Sequence, residues 1–447
     1  MIHSQIEKYL ATRGASGVWE ISGSDRRDFD GAVIIPSLAE SESLLFTLES
    51  LARNPREALS RFLVLVVVNH RQESPLSEKK DNEETLKKLS GSGRFPEKLQ
   101  LGWVDAASPG RELPEKTGGV GLARKIGFDL ALPRLNFRRG SPILISLDAD
   151  TLCRPNYLPA LARHFQTSGL PGAVIPFCHQ AGDTFEQDRA IRRYELFLRA
   201  YVLGLARAGS PYGFHTVGSA MACTAAGYIR IGGMKALPAA EDFYFLEHLG
   251  KEGGVAQVKG TVVYPSARSS NRVPFGTGRS MSRLLAKEEG AVLFYQAECY
   301  RILADWLNLV GQSLGEEGSS IVSRSAEISA SLYDYLCLIR FESLWNKLRN
   351  NFKSNPSLSR AFHRWFDGLK TMKLIHHLSA ESFPRNEPEA VVPGLLSWAG
   401  LDPVSGIDRQ LDLLREIQNG GEYSVTDQRL KGTPTSSPMA FKSSYTL

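Results

Sequence analysis

Long apolar runs are missing from this chain. No stretch nears the roughly 18 residues that a membrane-spanning helix needs, and the longest strongly apolar segment, Phe62 to Val68, has the length of a strand. The first residues, Met1-Ile2-His3-Ser4-Gln5, lack a basic segment followed by an apolar one, so no secretory signal is expected and the cytoplasm is the default location. Cysteine is scarce. The five cysteines are odd in number, widely spaced and free of any Cys-x-x-Cys pair, which disfavours both a disulfide framework and a zinc knuckle. There is no dense block of Lys and Arg interleaved with aromatics, and a net charge of +5 over 447 residues is mild, so no nucleic-acid partner is expected. No internal repeat is present. What remains, 42% hydrophobic and 23% charged, is an ordinary globular composition in a chain long enough to bury a sizeable core.

From Gly31 onward, short β-branched runs alternate with amphipathic stretches, the pattern of an α/β layer fold. Ala32 to Ile35 reads as a strand ended by Pro36, and Leu44, Leu45, Leu48 and Leu51 follow at helical spacing. Phe62 to Val68, apolar on both faces, belongs inside the sheet. Arg71 to Lys98 reads as an exposed excursion with one helix near Glu83 to Leu89. Further strands are expected at Leu101–Val104, Ile143–Leu147, Ala173–Phe177, Ser219–Cys223 and Val255–Tyr264, with a long helix whose apolar stripe runs through Ile191, Tyr194, Leu198, Val202 and Leu205. After about Leu284 strand signals fade, and helical stripes take over. The division expected is an N-terminal extension over 1–30, an α/β domain over 31–284, a helical extension over 285–418 and a flexible tail over 419–447.

The chemistry concentrates in a few places. Asp148-Ala149-Asp150 ends an apolar strand, and the carboxyl ends of strands are where open α/β sheets bind ligands. Two hard oxygen donors suit Mg²⁺ or Mn²⁺, which could bridge to a diphosphate. Glu241-Asp242 opens an amphipathic segment; a helix start explains acidic residues there, and a functional reading makes Asp242 a general base. Its place at a helix N-terminus predicts a low pKa. Tyr264 to Arg279 carries Arg268, Arg272 and Arg279 with two glycines, in a stretch that cannot be a regular helix; it reads as a lid whose arginines grip phosphate oxygens, or as a solvated loop. Lys116 to Lys125 contains Gly-x-Gly, but Arg124 replaces the third glycine of the dinucleotide fingerprint, so NAD is not implied. This glycine-rich helix start, with Arg124 and Lys125, is a candidate phosphate neighbour. The histidines are scattered, and His179 and His215 fit packed roles better than metal ligation.

In this order the pieces resemble the nucleotide-sugar glycosyltransferases of the GT-A fold, family 2 above all. Val33-Ile34-Ile35-Pro36-Ser37-Leu38-Ala39-Glu40 is similar to the opening strand of that family, Asp148-Ala149-Asp150 to its metal-binding Asp-x-Asp, and Gly218 to Cys223, Gly232-Gly233-Met234 and Glu241-Asp242 to its acceptor-side block. The resemblance covers Gly31 to Met281. It implies an α/β, Rossmann-like GT-A domain with an all-helical extension outside the resemblance, and a metal-dependent, inverting transfer of a hexosyl group from a nucleoside-diphosphate sugar to an acceptor hydroxyl. Pro36, Glu40, Asn69 and Asp105 would surround the nucleotide, Asp148 the ribose and the metal, Asp150 the metal, Lys125, Arg268 and Arg272 the diphosphate, and Asp242 would be the base. The chain also departs from the family. Asn69 stands where an Asp commonly reads the base, so uridine is not implied. The Gln-x-x-Arg-Trp motif of processive members is absent, which points away from a polymer synthase. No His lies between Leu249 and Met281 to complete a metal site. Two other classes compete: a haloacid-dehalogenase-like phosphatase, which would need Thr or Val where Leu152 stands, and a non-catalytic sugar-nucleotide-binding scaffold.

Overall fold

The computed structural model describes residues 2–15, 17–92, 95–270 and 276–420. Nine strands occur among them: β1 (Gly31–Ser37), β2 (Phe62–Asn69), β3 (Gln100–Ala106), β4 (Ile143–Ser146), β5 (Leu152–Cys153), β6 (Gly172–Val174), β7 (Met221–Thr224), β8 (Val255–Gln257) and β9 (Val263–Tyr264). Seven form one sheet in the order β3-β2-β1-β4-β7-β6-β8, while β5 pairs with β9 in a separate ribbon. Every residue of β1 and β2 is buried, as their two-sided apolar pattern requires, and half-exposed β3 takes the edge. β1 runs parallel to both β2 and β4, with Gly31 level with Phe62 on one side and Ile143 on the other. Among the described strands of this sheet, only β7 runs against its neighbours.

Strand alternation sends side chains to two cores. Val33, Ile35, Val64, Val66, Val68 and Ile145 pack with the helices Ser43–Ala52 and Tyr157–Ser168. Ala32, Ile34, Leu65, Val67 and Leu144 pack with Val120–Ala131 and Glu241–Glu252. Gly127 lets the first of these two helices lie close to the sheet, since a Cβ there would meet Ile34 Cγ2 at 2.3 Å. Eight further helices run from Ala297 to Gln418. They surround a third core rich in aromatic rings, among them Trp306, Phe341, Trp345 and Phe362. The 23-residue helix Phe185–Arg207 serves this core too, through Leu196, Ala200 and Leu205. No helix among the described residues is long and apolar enough to cross a membrane.

The expected α/β class with an all-helical C-terminal extension is what the chain has, and its mostly parallel sheet has the form that the GT-A resemblance implies. Local readings needed correction. The strand expected over Val255–Tyr264 is two strands in different sheets, because the chain turns at Gly260 (φ 85°). The N-terminal extension contains a helix, Ile2–Arg13, that seats Ile6 and Tyr9 in the second core. Tyr157–Ser168 is a helix that the sequence pattern did not announce, with Pro159 tolerated in its first turn. The stretch read as unable to form regular helix does so from Thr277, after Gly276 (φ 93°), in the helix Thr277–Leu285. Asn419, assigned to a loose tail, is buried with its side-chain amide against Phe177 O.

Candidate active site

Four strand ends meet on one edge of the sheet. β1 and β4 are neighbours, yet the chain proceeds from β1 outward through β2 and β3 before returning to β4. The crevice at such a switch point is where α/β sheets bind ligands. Here it is a cavity of about 900 Å³ lined by residues that follow β1, β2 and β4 and precede the reversed β7.

After β1 the chain bends at Ala39, whose φ of 51° is unusual for a residue with a Cβ. Asn82 Oδ1 accepts the Ala39 N–H at 2.9 Å, and the next residue, Glu40, is presented to the cavity. After β4, Ala149 is buried with its carbonyl accepting from Thr47 Oγ1 at 2.9 Å, while Asp148 and Asp150 line the cavity on either side of it. Gln180 Nε2 holds the Asp150 carbonyl at 3.0 Å. On the far wall Ala240, at φ 59°, sets the start of the helix Glu241–Glu252. Two left-handed alanines thus precede two acidic elements of the site. Backbone strain of this kind costs about 1–3 kcal/mol and gathers where side chains must be aimed.

Two arginines run between these acids. Arg124, buried on the helix Val120–Ala131, donates to Asp148 Oδ1 at 2.5 Å and to Glu241 Oε1. Gly218 leaves it room, for a Cβ there would approach the guanidinium at 2.5 Å. Arg268 donates to Asp150 Oδ2 at 2.8 Å and to Glu40 Oε1. Four carboxyls, Glu40, Asp148, Asp150 and Glu241, therefore pair with these two guanidiniums among the described residues, and Asp242 lies close enough to feel the charge of Arg124. Burial pushes the Asp150 carboxyl up to about 6 against the pull of Arg268, with Glu40 and Asp148 adding to the rise. Glu241 is pushed up to about 7, chiefly by burial. Asp242 also rises, by burial first, although Arg124 and the Phe243 N–H, 2.8 Å from its Oδ1, pull it down. The helix-start argument predicted a low value for Asp242. Burial outweighs it, because a helix N-terminus contributes about 0.3–1 kcal/mol at exposed sites while desolvation of a carboxylate costs more.

The structure brings Pro36, Glu40, Asn69, Asp148, Asp150, Asp242 and Arg268 to the one cavity. It turns two expected residues elsewhere. Lys125 points away from the cavity: its Nζ reaches Asp129 Oδ2 at 2.8 Å and the Arg13 carbonyl at 2.7 Å, since one residue along a helix is a turn of about 100° away from Arg124. Asp105 does not line the cavity; its Oδ1 accepts from the N–H groups of Ala107 and Ser108 at 3.1 and 2.9 Å and holds its own turn. Arg272 lies outside the described residues, as does the middle of the expected lid. His179 and His215 are packed, on Glu195 and Gln418. Tyr194 and Ser219 also line the cavity without having been assigned to a site, and so does Arg124, which the sequence offered only as part of a candidate phosphate neighbour. For Arg124 a signal existed: a charge set among Leu122, Ala123, Ile126 and Gly127, on a helix face that must be buried.

Among the described residues no three His, Cys, Asp or Glu side chains are placed to hold a metal ion. The donor set still fits a hard cation. Two carboxylates stand at one strand end within a local excess of negative charge, and Mg²⁺-type ions are commonly held by one or two carboxylates with phosphate oxygens and water completing the shell.

No family model and no curated protein sequence matches the chain. Solved structures with similarity include S. aureus TarS 1-349, 15% identical over 70% of this chain and 87% of that one, TM-score 0.36. The same protein in complex with UDP-GlcNAc is 14% identical over 70% of this chain and 88% of that one, TM-score 0.37. M. tuberculosis glucosyl-3-phosphoglycerate synthase is 16% identical over 67% and 84%, TM-score 0.32. At TM-scores below 0.5 these likenesses carry no argument, and the functional reading rests on the site itself.

Proposed function

We propose that the protein is a glycosyltransferase of the family 2 type, which moves a hexosyl group from a nucleoside-diphosphate sugar to an acceptor hydroxyl with the help of Mn²⁺ or Mg²⁺. One observation carries the reading: acids that follow β1 and β4, acids at the start of the helix Glu241–Glu252, and the arginines Arg124 and Arg268 converge on a single cavity at the switch point of the sheet. Asp148 and Asp150 would hold the cation, which supplies Lewis-acid neutralisation of the departing diphosphate. Arg124 and Arg268, already aimed at that place, donate to phosphate oxygens. Asp242 accepts the proton of the acceptor hydroxyl as its oxygen forms the new bond to the anomeric carbon and the bond from that carbon to the diphosphate breaks. Its raised pKa makes it a stronger base than an exposed aspartate. A single displacement of this kind inverts the anomeric centre. The absence of a processive motif fits one transfer per encounter.

The test is a thermal-shift screen of UDP-, GDP-, CMP- and dTDP-sugars with and without Mn²⁺. Stabilisation by at least one of them, enhanced by the ion, is the expected result. No shift with any donor under either condition would overturn the proposal.

A further inference from the structure

The ribbon of β5 and β9 ends at the cavity. Leu152 is level with Tyr264, and because the strands are antiparallel, going on in the same direction leads to Asp150 on one side and to Pro265 and Arg268 on the other. The ladder stops short of them. In its place stands the side chain of Gln180, whose Nε2 donates to the Asp150 carbonyl at 3.0 Å and to the Tyr264 carbonyl at 2.8 Å. Carbonyl oxygens only accept, so these contacts settle which end of the amide is nitrogen, and both of its hydrogens are used. The backbone N–H of Gln180 adds a third bond, to the Pro265 carbonyl at 2.8 Å. Gln180 does not itself line the cavity, whereas Asp150, Pro265 and Arg268 do. One residue thus fixes two stretches of backbone, whose side chains Asp150 and Arg268 meet at 2.8 Å.

Gln180 is in turn held from behind. The residue before it, His179, is buried, and its backbone N–H and its Nδ1 both donate to Glu195 Oε2, at 2.9 and 3.0 Å. A main-chain and a ring donor on one oxygen leave His179 little freedom. Glu195, fully buried, accepts in addition from Nε and Nη2 of Arg415, each at 2.7 Å, and Arg415 belongs to the last helix of the extension, Ile407–Gln418. A run of hydrogen bonds therefore leads from the extension to the turn that carries Asp150.

We propose that Gln180 is a positioning residue, which sets the spacing between the Asp150 turn and the Arg268 segment and is kept in place by the helical extension through Arg415, Glu195 and His179. This inference rests on the proposed function and deepens it: the extension takes part in binding the cation and the diphosphate without touching either. Groups that orient metal ligands from behind are commonly worth about tenfold or more in metal affinity.

Calorimetry with inorganic pyrophosphate, at a series of Mn²⁺ concentrations and with a chelator, tests it, alongside thermal melts that report the fold. Gln180→Met keeps the length of the side chain and loses both amide donors. It should weaken the Mn²⁺-dependent part of pyrophosphate binding by about tenfold in protein that is still folded. A glutamine that only braced the fold would lower the melting temperature and leave the Mn²⁺ dependence of wild type. Arg415→Lys keeps the charge without the two-pronged grip and should weaken the same quantity by about threefold. Added to Gln180→Met it should weaken it no further, because the extension acts through the residue already replaced. His179→Phe carries the same two expectations should Arg415→Lys not fold. An unchanged Mn²⁺ dependence in Gln180→Met, or effects that multiply in the double variant, overturns the inference and leaves the proposed function standing. Wild-type binding that Mn²⁺ does not strengthen overturns it together with the cation role of Asp150, and no binding of pyrophosphate under any condition removes the proposed function as well.

Discussion

The helix Phe185–Arg207 carries a buried carboxylate, Glu195, and through Tyr194 lines the cavity that holds the other buried acids, and the two settings are built on opposite principles. Glu195 faces the helical extension. It accepts from Arg199 Nε at 2.9 Å, from Arg415 at 2.7 Å through each of its oxygens, and from the His179 backbone N–H at 2.9 Å. These partners outweigh its burial and hold its pKa well below the ordinary glutamate value. The cavity acids, Asp150, Glu241 and Asp242, have too few partners, and burial raises all three. One carboxylate is a structural member with its charge answered in full. The others hold a charge deficit that a bound cation and a proton can fill, which is what a site requires and a scaffold avoids.

The contrast is broken most severely at its structural end. Glu195→Ala leaves Arg199 and Arg415 buried with no carboxylate between them, and should cost about 3–5 kcal/mol of stability in chemical denaturation. Asp242→Asn should leave donor affinity nearly unchanged and lower turnover by about 10²-fold or more, read from steady-state kinetics. Equal turnover in variant and wild type would remove Asp242 from the mechanism.

A subtler comparison uses pH. Asp150 has a folded pKa above its unfolded one, so the folded state binds more protons between about pH 4 and 6, and its contribution to stability falls as pH rises through that window. Asp150→Asn should therefore be more stable than wild type at pH 8, by about 1 kcal/mol in denaturant melts, and should have lost the cation-dependent part of nucleotide binding. Glu195, with a lowered pKa, gives its full stabilisation above the unfolded value and loses it as pH falls through the folded one. An effect of similar size belongs to His215, whose pKa burial lowers to about 3. Its unfolded form takes up protons below about pH 6.5 while the folded form does not, so it costs stability as pH falls. His215→Gln should flatten the loss between pH 7 and 5 by about 1 kcal/mol, measured by melts at each pH.

The central strands and the Asp148-Ala149-Asp150 turn were legible because they depend on local pattern: a two-sided apolar run has few places to go except mid-sheet. The convergence of Glu40, Asp148, Asp150, Asp242 and Arg268 was foreseen through the order of the motifs. What escaped is set by tertiary burial and by direction. The apolar residues around Arg124 mark its helix face as buried, but only the packing of that helix against Ile34 and Val67 sets Arg124, and not Lys125, against the acids. Asp105 reads as a ligand at a strand end, yet the turn after it supplies two N–H donors first. The pKa of Asp242 depends on how much water the opposite wall excludes, which no local window contains. The tether of Glu195 to Arg415 spans 220 residues.

The helix Phe185–Arg207 gives the molecule an architectural consequence. Tyr194 lines the cavity, and Glu195, the next residue, anchors the C-terminal helix Ile407–Gln418 through Arg415. The apolar face made by Leu196, Ala200 and Leu205 is covered by segments that follow Leu284. The two halves are therefore not interchangeable modules joined by a linker. They share the helix Phe185–Arg207, so loss of the helical extension would uncover its apolar face and leave Glu195 without Arg415, one residue from the cavity wall at Tyr194.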